Sequence, residues 1–268
     1  KEIFQGVREV LEDQAYDILL HDSNSPKTPP YDKCLDLVKG KLAEGLLMAS
    51  PMVFDEYPAL LAKEDVPLVV MGETARGDEV NRVAIPNRAS SEQAVKRLLD
   101  LGHRRIAAGV FGEGHVESVK RFQGYQDALL KAGIPFDPAL VGEARYNRAA
   151  AQEETRRLLT TIPDITAVYT VNADMTLGAL DAIRSLGLEI PRDISLLAFD
   201  DSAEVEMNQP PISAVRQFPV QVGRLAAQRL LTMLNDPSSR AIACQMVDTE
   251  FVERASMAGP SASRMKHD

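Results

Sequence analysis

The amino-acid sequence predicts an α/β protein built from two lobes, each formed around a parallel β-sheet. Short runs rich in Val, Ile and Leu alternate along the chain with segments whose apolar residues recur at helical spacing, and this alternation is typical of right-handed βαβ units. The length of 268 residues allows two lobes, since one domain holds roughly 100 to 200 residues. A composition of 45% hydrophobic and 26% charged residues is typical of globular proteins.

The first half of the chain is predicted to alternate helices with strands. Residues 3–11 carry apolar side chains on one helical face, and the same spacing recurs over residues 34–42. Ser91 is the predicted N-cap of a longer helix that ends at Gly102. The chain begins directly on a helix, so the strand that normally opens a βα series is missing. The predicted strands of this half are residues 16–20, 45–48, 67–70 and 106–110.

The second half repeats the same alternation of helices and strands. A helix over residues 175–186 is followed by Gly187, and Pro191 keeps it from resuming. After Ala255 the chain loses its periodicity and gains Ser, Gly and Pro, so residues 257–268 are predicted to form a disordered tail. The predicted strands of this half lie near Leu140 and over residues 167–170, 194–199 and 212–215.

Charge and cysteine content exclude several classes of protein. The chain has 39 Asp plus Glu against 30 Lys plus Arg, a net charge of −9, so its field repels nucleic-acid phosphates, and any action on DNA requires another segment. The apolar runs are far shorter than the roughly 20 residues of a membrane helix. No secretory signal is visible, although a processed chain would look the same. Cys34 and Cys244 lack CxxC spacing, which favours a cytoplasmic protein.

No motif of a catalytic or cofactor site is evident. The phosphate-loop, metalloprotease and serine-hydrolase signatures are absent, and the glycine-rich residues 109–114 lack the spacing of a dinucleotide site. The four histidines show no metal-ligand spacing, and His103 is expected to contact the last carbonyls of the preceding helix. We therefore predict no catalytic residue, no metal and no cofactor, and we do not expect an enzyme.

Polar residues recur where the predicted strands end, which is where ligands bind in open α/β sheets. Charged, aromatic and amide groups that converge on one cleft suit a small polar or polyhydroxylated ligand. Asp200 and Asp201 are adjacent and point to opposite faces, so they cannot form a catalytic dyad. Each polar residue can equally be a satisfied surface group, and either aspartate can cap the following turn. The candidate ligand-binding residues are Glu73, Arg121, Tyr146, Asn172, Asp200 and Gln217.

A series of longer segments occurs in a fixed order along the chain. These are LGHRRIA from residue 101, RFQGY from 121, AVYTVNADMTLGAL from 167, IPRDISLLAFDD from 190 and PPISAVRQ from 210. Together they resemble the effector-binding region of the lactose-repressor and galactose-repressor family of bacterial transcription regulators. The resemblance covers nearly the whole chain up to residue 256.

The resemblance implies a fold like that of periplasmic binding proteins, with two Rossmann-like lobes, three crossing segments and a ligand cleft between the lobes. A helix over residues 220–234 would return to the first lobe, and a strand over 245–252 would finish in the second. The implied lobes are residues 1–110 with 217–243, and residues 111–216 with 244–256.

The resemblance also implies roles for the candidate residues. In such proteins the residues aligned with Arg121, Asn172 and Asp200 hold the polar groups of the effector. Tyr146 matches a position that is often aromatic and covers the ligand, and Glu73 matches a position that can carry a sugar-binding acid. The chain differs from the family pattern at two places, with Asn-Ala at residues 172–173 instead of Asn-Asp and Pro-Asn at 86–87 instead of Asp-Asn.

The implied function is that of the effector-sensing and dimerisation core of a cytoplasmic transcriptional regulator. Such a protein is a homodimer that binds a sugar or a related polar metabolite and controls operator DNA allosterically. The family begins with a helix-turn-helix domain, a hinge helix and the first core strand, so we expect this chain to be trimmed and DNA to be bound through the missing segment. The alternative is a solute-binding protein of an ABC importer, which shares the fold. An upstream signal peptide would favour that alternative, and an upstream helix-turn-helix would exclude it.

Overall fold

The computed structural model describes residues 2–12, 14, 16–21, 30–49, 56–74, 77–109, 115–144, 147–262 and 264. The helices are α1 (Glu2–Leu11), α2 (Pro30–Lys39), α3 (Tyr57–Lys63), α4 (Asn87–Asp100), α5 (Val116–Lys131), α6 (Arg148–Thr161), α7 (Ala173–Ser185), α8 (Ala203–Glu206) and α9 (Pro219–Asn235). The strands are β1 (Leu46–Ala49), β2 (Leu68–Met71), β3 (Asn81–Ala84), β4 (Ile106–Gly109), β5 (Val141–Gly142), β6 (Ala167–Thr170), β7 (Ser195–Phe199), β8 (Ser213–Arg216), β9 (Cys244–Met246) and β10 (Glu250–Val252).

The chain divides into two compact units. The sequence predicts the first boundary after residue 110, whereas the structure has it after Ile85. α4 and β4 therefore belong to the second unit, because β4 pairs with β5 and β6 and α4 packs against β7 and β8. The first unit contains Lys1–Ile85, Gly114–Val116 and Phe218–Asp248, and the second contains Pro86–Glu113, Glu117–Gln217 and Thr249–Asp268.

The first unit is built on a parallel sheet in the strand order β1–β2–β3–β9. Every residue of β2 is buried, and apolar side chains from α2 and α3 pack against it, among them Cys34 and Leu61. α1 packs closely on α9, where a Cβ atom on Gly223 would lie only 1.9 Å from the carbonyl oxygen of Ile3. Only glycine allows the two helix backbones to approach this closely.

The first unit differs from the prediction by one predicted strand that does not form and one strand that was not predicted. Residues 16–20 form no strand, and Leu20 is 76% exposed. No described strand pairs with this segment, and apolar sequence by itself does not hold an isolated strand in water. β3 has no sequence signal because Asn81 and Arg82 interrupt its apolar pattern, yet all its residues except Arg82 are buried.

The predicted strand over residues 245–252 is two strands in different sheets. β9 pairs in parallel with β3 of the first unit, and β10 pairs antiparallel with β8 of the second unit. The chain passes from one unit to the other between Asp248 and Thr249, so continuous pairing along one sheet is not possible.

The second unit contains a sheet in the order β10–β8–β7–β6–β4–β5, in which β10 alone of the described strands runs antiparallel to its neighbour. All residues of β4, β6 and β7 are buried, as expected when helices cover both faces of a parallel sheet. α6 and α7 pack together over one face, where Leu158, Ile183 and Leu196 are part of the core. The predicted α/β class with parallel sheets is confirmed. Among the described residues, no helix is both long and apolar enough to cross a bilayer.

The C-terminal segment does not behave as the predicted tail where it is described. Ser256 is fully buried, and its hydroxyl donates to the carbonyl of Leu196 (2.6 Å) and accepts from the amide of Ser213 (2.8 Å). Residues 257–262 follow in a defined position, with Ala258 bonded to β7. Ser256 therefore satisfies backbone groups near the amino ends of β7 and β8, which buried strands require.

His103 belongs to the same network of hydrogen bonds. Its ring is fully buried, Nε2 donates to the carbonyl of Ala258 (2.8 Å), and Nδ1 lies 2.8 Å from Oγ1 of Thr166. The expected contact with the preceding helix is made by its backbone amide, which donates to the carbonyl of Leu98 (3.1 Å), and not by the ring. Burial lowers the pKa of His103, and the hydrogen bond to Ala258 only partly opposes this effect.

We expect the free energy of unfolding to fall as the pH drops below 6.5, the ordinary pKa of histidine. Below that pH the unfolded chain binds a proton that folded His103 does not bind, so this stabilisation is complete above 6.5 and is lost towards the lowered folded pKa. The slope is at most about 1.4 kcal/mol per pH unit. Urea unfolding of the wild type, of His103→Gln and of the exposed His21→Gln measures it. His103→Gln should show a flatter slope than the other two proteins, and equal slopes would contradict the assignment.

Candidate functional site

The carboxyl ends of β6, β7 and β8 lie at one edge of the second sheet, because these strands are parallel neighbours. Asn172 comes two residues after β6, Asp200 directly follows β7, and Gln217 directly follows β8. Arg121 reaches the same edge from α5, where it contacts Asp200. Four of the predicted site residues are therefore brought together in the second unit.

The guanidinium of Arg121 is buried and held by several partners. Nε donates to Oδ1 of Asn87 (2.8 Å), and Nη1 donates to the carbonyl of Val171 (2.6 Å) and lies 3.5 Å from Oδ1 of Asp200. The guanidinium carbon lies 3.9 Å from the centroid of the Phe199 ring, a cation–π contact. A charge is buried without a large cost only when such partners surround it, so the position of Arg121 is well defined.

Two buried hydroxyl groups support the backbone of Arg121. Oγ of Ser91 lies 2.6 Å from the Arg121 carbonyl and 2.6 Å from the hydroxyl of Tyr169. Ser91 must donate to the carbonyl, so Tyr169 donates to Ser91. Burial raises the pKa of Tyr169 well above its ordinary value, which keeps this donor protonated. Ser91 is thus an interior residue of α4 and not its predicted N-cap, because the helix begins at Asn87.

Asn172 is the N-cap of α7. Its Oδ1 accepts from the backbone amide of Met175 (2.9 Å), and its backbone carbonyl accepts from the hydroxyl of Thr176 (2.8 Å). Nδ2 makes no hydrogen bond to any described residue. One end of this side chain therefore stabilises the helix, and the other end is a donor without a partner in the described part of the chain.

Asp200 has a backbone φ of +80°, in the left-handed region that non-glycine residues rarely occupy. Its amide donates to the carbonyl of Val215 (3.1 Å), and its Oδ1 accepts a hydrogen bond from Nε2 of Gln217. Oδ2 makes no hydrogen bond to the residues that the structure describes. The side chain is 28% exposed, so this oxygen can accept from a ligand.

The neighbouring Asp201 contacts a different set of residues. Its carboxylate bonds to Nη1 and Nη2 of Arg254 (2.6 and 2.9 Å) and to Nε of Arg216 (2.9 Å). Burial opposes ionisation of Asp201, but the hydrogen bonds from Arg254 and Arg216 outweigh it and lower its pKa. The two adjacent aspartates therefore have separate partners.

The two remaining candidate residues are Glu73 and Tyr146. Glu73 lies in the first unit, shortly after β2, and is half-buried. Tyr146 lies outside the described residues.

Two residues that contact Arg121 are not among the candidates predicted from the sequence. Asn87 is buried and holds Nε of Arg121, and the sequence signal for it is the Pro-Asn pair at residues 86–87, which departs from the family pattern. Phe199 places its ring against the guanidinium, although the sequence indicates only a buried strand residue there. The cation–π contact depends on packing between β7 and α5, which no local pattern reports.

The arrangement offers hydrogen-bonding groups to a ligand. Nη2 of Arg121 makes no hydrogen bond to a described residue, so it joins Nδ2 of Asn172 and Oδ2 of Asp200 as a group that a ligand can bind. Two donors next to one acceptor suit neighbouring hydroxyl groups. Within the described part of the chain, no group of three or more His, Cys, Asp and Glu side chains is placed to hold a metal ion.

Residues 95–257 match the family described as the periplasmic binding protein-like domain. The chain belongs to this family. It is 29% identical over 256 residues to the HTH-type transcriptional regulator CelR of Thermobifida fusca, covering 95% of this chain and 74% of that protein. It is 28% identical over 256 residues to the transcriptional repressor CytR of Escherichia coli strain K12, covering 92% of this chain and 73% of that protein.

A solved structure extends the comparison to the fold of this periplasmic binding protein-like chain. The transcriptional regulator CelR in complex with cellobiose matches with a TM-score of 0.86 and 29% identity, over 95% of this chain and 78% of that chain. The predicted resemblance to the lactose-repressor and galactose-repressor regulators is confirmed. These relatives are regulators, so the alternative of an importer's solute-binding protein is not favoured.

We expect Asn172→Ala to lower the free energy of unfolding by about 1 kcal/mol, because alanine cannot accept from the Met175 amide at the start of α7. Asn172→Asp should keep the stability of the wild type, since aspartate caps a helix about as well as asparagine and complements its dipole. Denaturant unfolding of the three proteins measures both effects. Equal losses in the two variants would show that the cap is not what Asn172 contributes.

Proposed function

We propose that this chain is the effector-sensing core of a bacterial transcriptional regulator and that its ligand is a sugar or a related polar metabolite. The observation that carries the proposal is the group of polar atoms available at the carboxyl edge of the second sheet, on Arg121, Asn172 and Asp200. Their donors and acceptor match the hydroxyl groups of a polyhydroxylated ligand. The similarity to CelR, which has been solved with cellobiose, supports the sugar class.

The charges of the site favour a neutral ligand. Arg121 lies 3.5 Å from the carboxylate of Asp200, so the two charges offset each other. A phosphate or carboxylate on the ligand would compete with Asp200 for the guanidinium and would face the Asp200 charge itself. A neutral sugar meets neither obstacle, because its hydroxyl groups can donate to Asp200 while they accept from Arg121.

We expect a neutral sugar to raise the melting temperature of this chain. The neutral probes are cellobiose, which is tested first, and glucose, and the anionic probes are gluconate and glucose 6-phosphate. A ligand at 100 times its dissociation constant adds about 2.7 kcal/mol to the free energy of unfolding. Arg121→Ala and Asp200→Ala should weaken binding by roughly tenfold or more, because each leaves a buried polar contact unpaired. Asn172→Asp should also weaken binding, since it removes the Nδ2 donor and keeps the helix cap.

Asp127→Asn is the matched control for these variants. Asp127 accepts from Nη2 of Arg88 (2.8 Å) on the surface of the same unit, and its loss should leave sugar binding unchanged. Calorimetry gives the affinities. Binding that survives all three site variants would refute the assigned residues, and tight binding of the anionic probes alone would refute the neutral class.

We also propose that this chain controls the affinity of the regulator for operator DNA. Operator DNA is bound by a segment outside this chain, in the cytoplasm, and effector binding changes operator affinity. By linkage, operator DNA then changes effector affinity by the same factor. The names of CelR and CytR as HTH-type regulators support this assignment.

We expect the chain to form a two-fold symmetric homodimer through the first unit, as a regulator that reads two half-sites requires. The outward faces of the early helices, around residues 34–42 and 53–61, are the expected contact. Residues 53–55 lie outside the described part of the chain, and Leu42 and Leu60 are 71% and 43% exposed. The double change Leu42→Asp and Leu60→Asp should yield a monomer in sedimentation. The control is Leu130→Asp, which changes a leucine of the second unit that is 77% exposed, and this variant should stay dimeric. A wild-type monomer would contradict the proposed dimer.

A further inference from the structure

The buried carboxylate of Asp201 forms an ion-pair cluster next to the candidate ligand site. Its side chain is 3% exposed, and it bonds to both Nη atoms of Arg254 and to Nε of Arg216 at 2.6 to 2.9 Å. Arg216 also pairs with Glu250 of β10 (3.1 Å), and Arg254 donates to the carbonyl of Ile212 (2.8 Å). The cluster therefore ties the turn after β7 to β8 and β10.

The cluster and the ligand-facing groups occupy consecutive positions on the same two segments. Asp200 and Asp201 directly follow β7, and Arg216 and Gln217 are the last residue of β8 and the residue after it. Gln217 donates to Asp200, whereas Arg216 bonds to Asp201. The hydrogen bond between Gln217 and Asp200 and the ion pair between Arg216 and Asp201 therefore join the same two segments at adjacent positions.

The backbone of Asp200 needs this support. A φ of +80° is sparsely populated for aspartate and persists only where the surrounding structure holds it. The residue before it, Phe199, is fully buried in β7. The residue after it, Asp201, is held by two arginines. Asp200 is thus fixed from both sides, and its carboxylate meets Gln217 and Arg121 in one orientation.

We infer that Asp201 is a positioning residue, which acts through Arg216 and Arg254 to hold Asp200 and Gln217 in the arrangement that receives the ligand. The inference rests on the proposed function for what Asp200 and Gln217 bind, but the positioning is a property of the ligand-free protein. The competing explanation is a clamp that contributes stability alone. In that case the loss of Asp201 lowers the free energy of unfolding. Its effect on ligand affinity is then the same in the wild type as in a protein that lacks the Asp200 side chain.

The first test uses the ligand-free protein and ¹⁵N NMR of two side chains, the amide of Gln217 and Nε–H of Arg121. Asp201→Asn removes the charge of the side chain and keeps its shape. Arg216→Gln removes one of the two arginines that contact Asp201, and it provides the test if Asp201→Asn does not fold. Either variant should shift both signals. Asp127→Asn, the surface ion-pair control, should shift neither. Unchanged signals in a folded Asp201→Asn or Arg216→Gln protein would overturn the inference.

The second test is a double-mutant cycle with cellobiose as the probe. Asp201→Asn should weaken binding by roughly threefold to hundredfold in the wild-type background and much less in the Asp200→Ala background, because coupled residues are not additive. Fully additive losses would show a clamp and overturn the inference. If the NMR signals move as expected and no sugar binds the wild type, the positioning stands and the proposed sugar-sensing function fails.

Discussion

The polar edge of the second unit depends on one constraint, the burial of the Arg121 guanidinium. A charge removed from water is tolerated only when partners replace its hydration, and here these partners come from α4, from the ends of β6 and β7 and from the Phe199 ring. Satisfying Arg121 therefore fixes the relative positions of four elements. The same contacts leave Nη2 without a described partner, so the constraint that orders the edge also provides a donor for a ligand.

In the second sheet, the polar groups at the amino ends of the strands differ in their hydrogen bonding from those at the carboxyl ends. At the amino ends of β7 and β8, Ser195, Ser213, Ser256 and His103 bond to one another or to backbone groups. At the carboxyl ends, Asn172 and Asp200 use only part of their bonding capacity on the residues that the structure describes. Polar groups that are fully hydrogen-bonded within the protein stabilise the fold. Polar groups that still lack a partner can gain binding free energy when a ligand supplies one. Ligands of open α/β sheets bind outside the carboxyl ends of the strands, which is where this unused bonding capacity lies.

Asp200 and Asp201 are adjacent and identical, yet they contact different residues. Both are acidic, and both follow the same buried strand, but only Asp201 is enclosed by two arginines. An ion pair with little exposure is costly to break from one side, which makes it a suitable support for a strained neighbour. Asp200 keeps a partly exposed oxygen. In our proposal, the supporting residue Asp201 and the ligand-binding residue Asp200 lie one position apart in the chain.

The sequence by itself determined the α/β class, two strands of the first sheet, five of the second, and the placement of Asn172, Asp200 and Gln217 after strands, because apolar periodicity reports which segments are buried. Arg121 was predicted to open its helix, whereas α5 begins five residues earlier at Val116. Tertiary structure alone decided that residues 16–20 form no strand, that residues 245–252 divide between two sheets, and that Ser256 and Ala258 bind the sheet. It also decided which aspartate meets the two arginines. Strand pairing and ion pairs join residues far apart in the chain, and local patterns do not encode the identity of a distant partner.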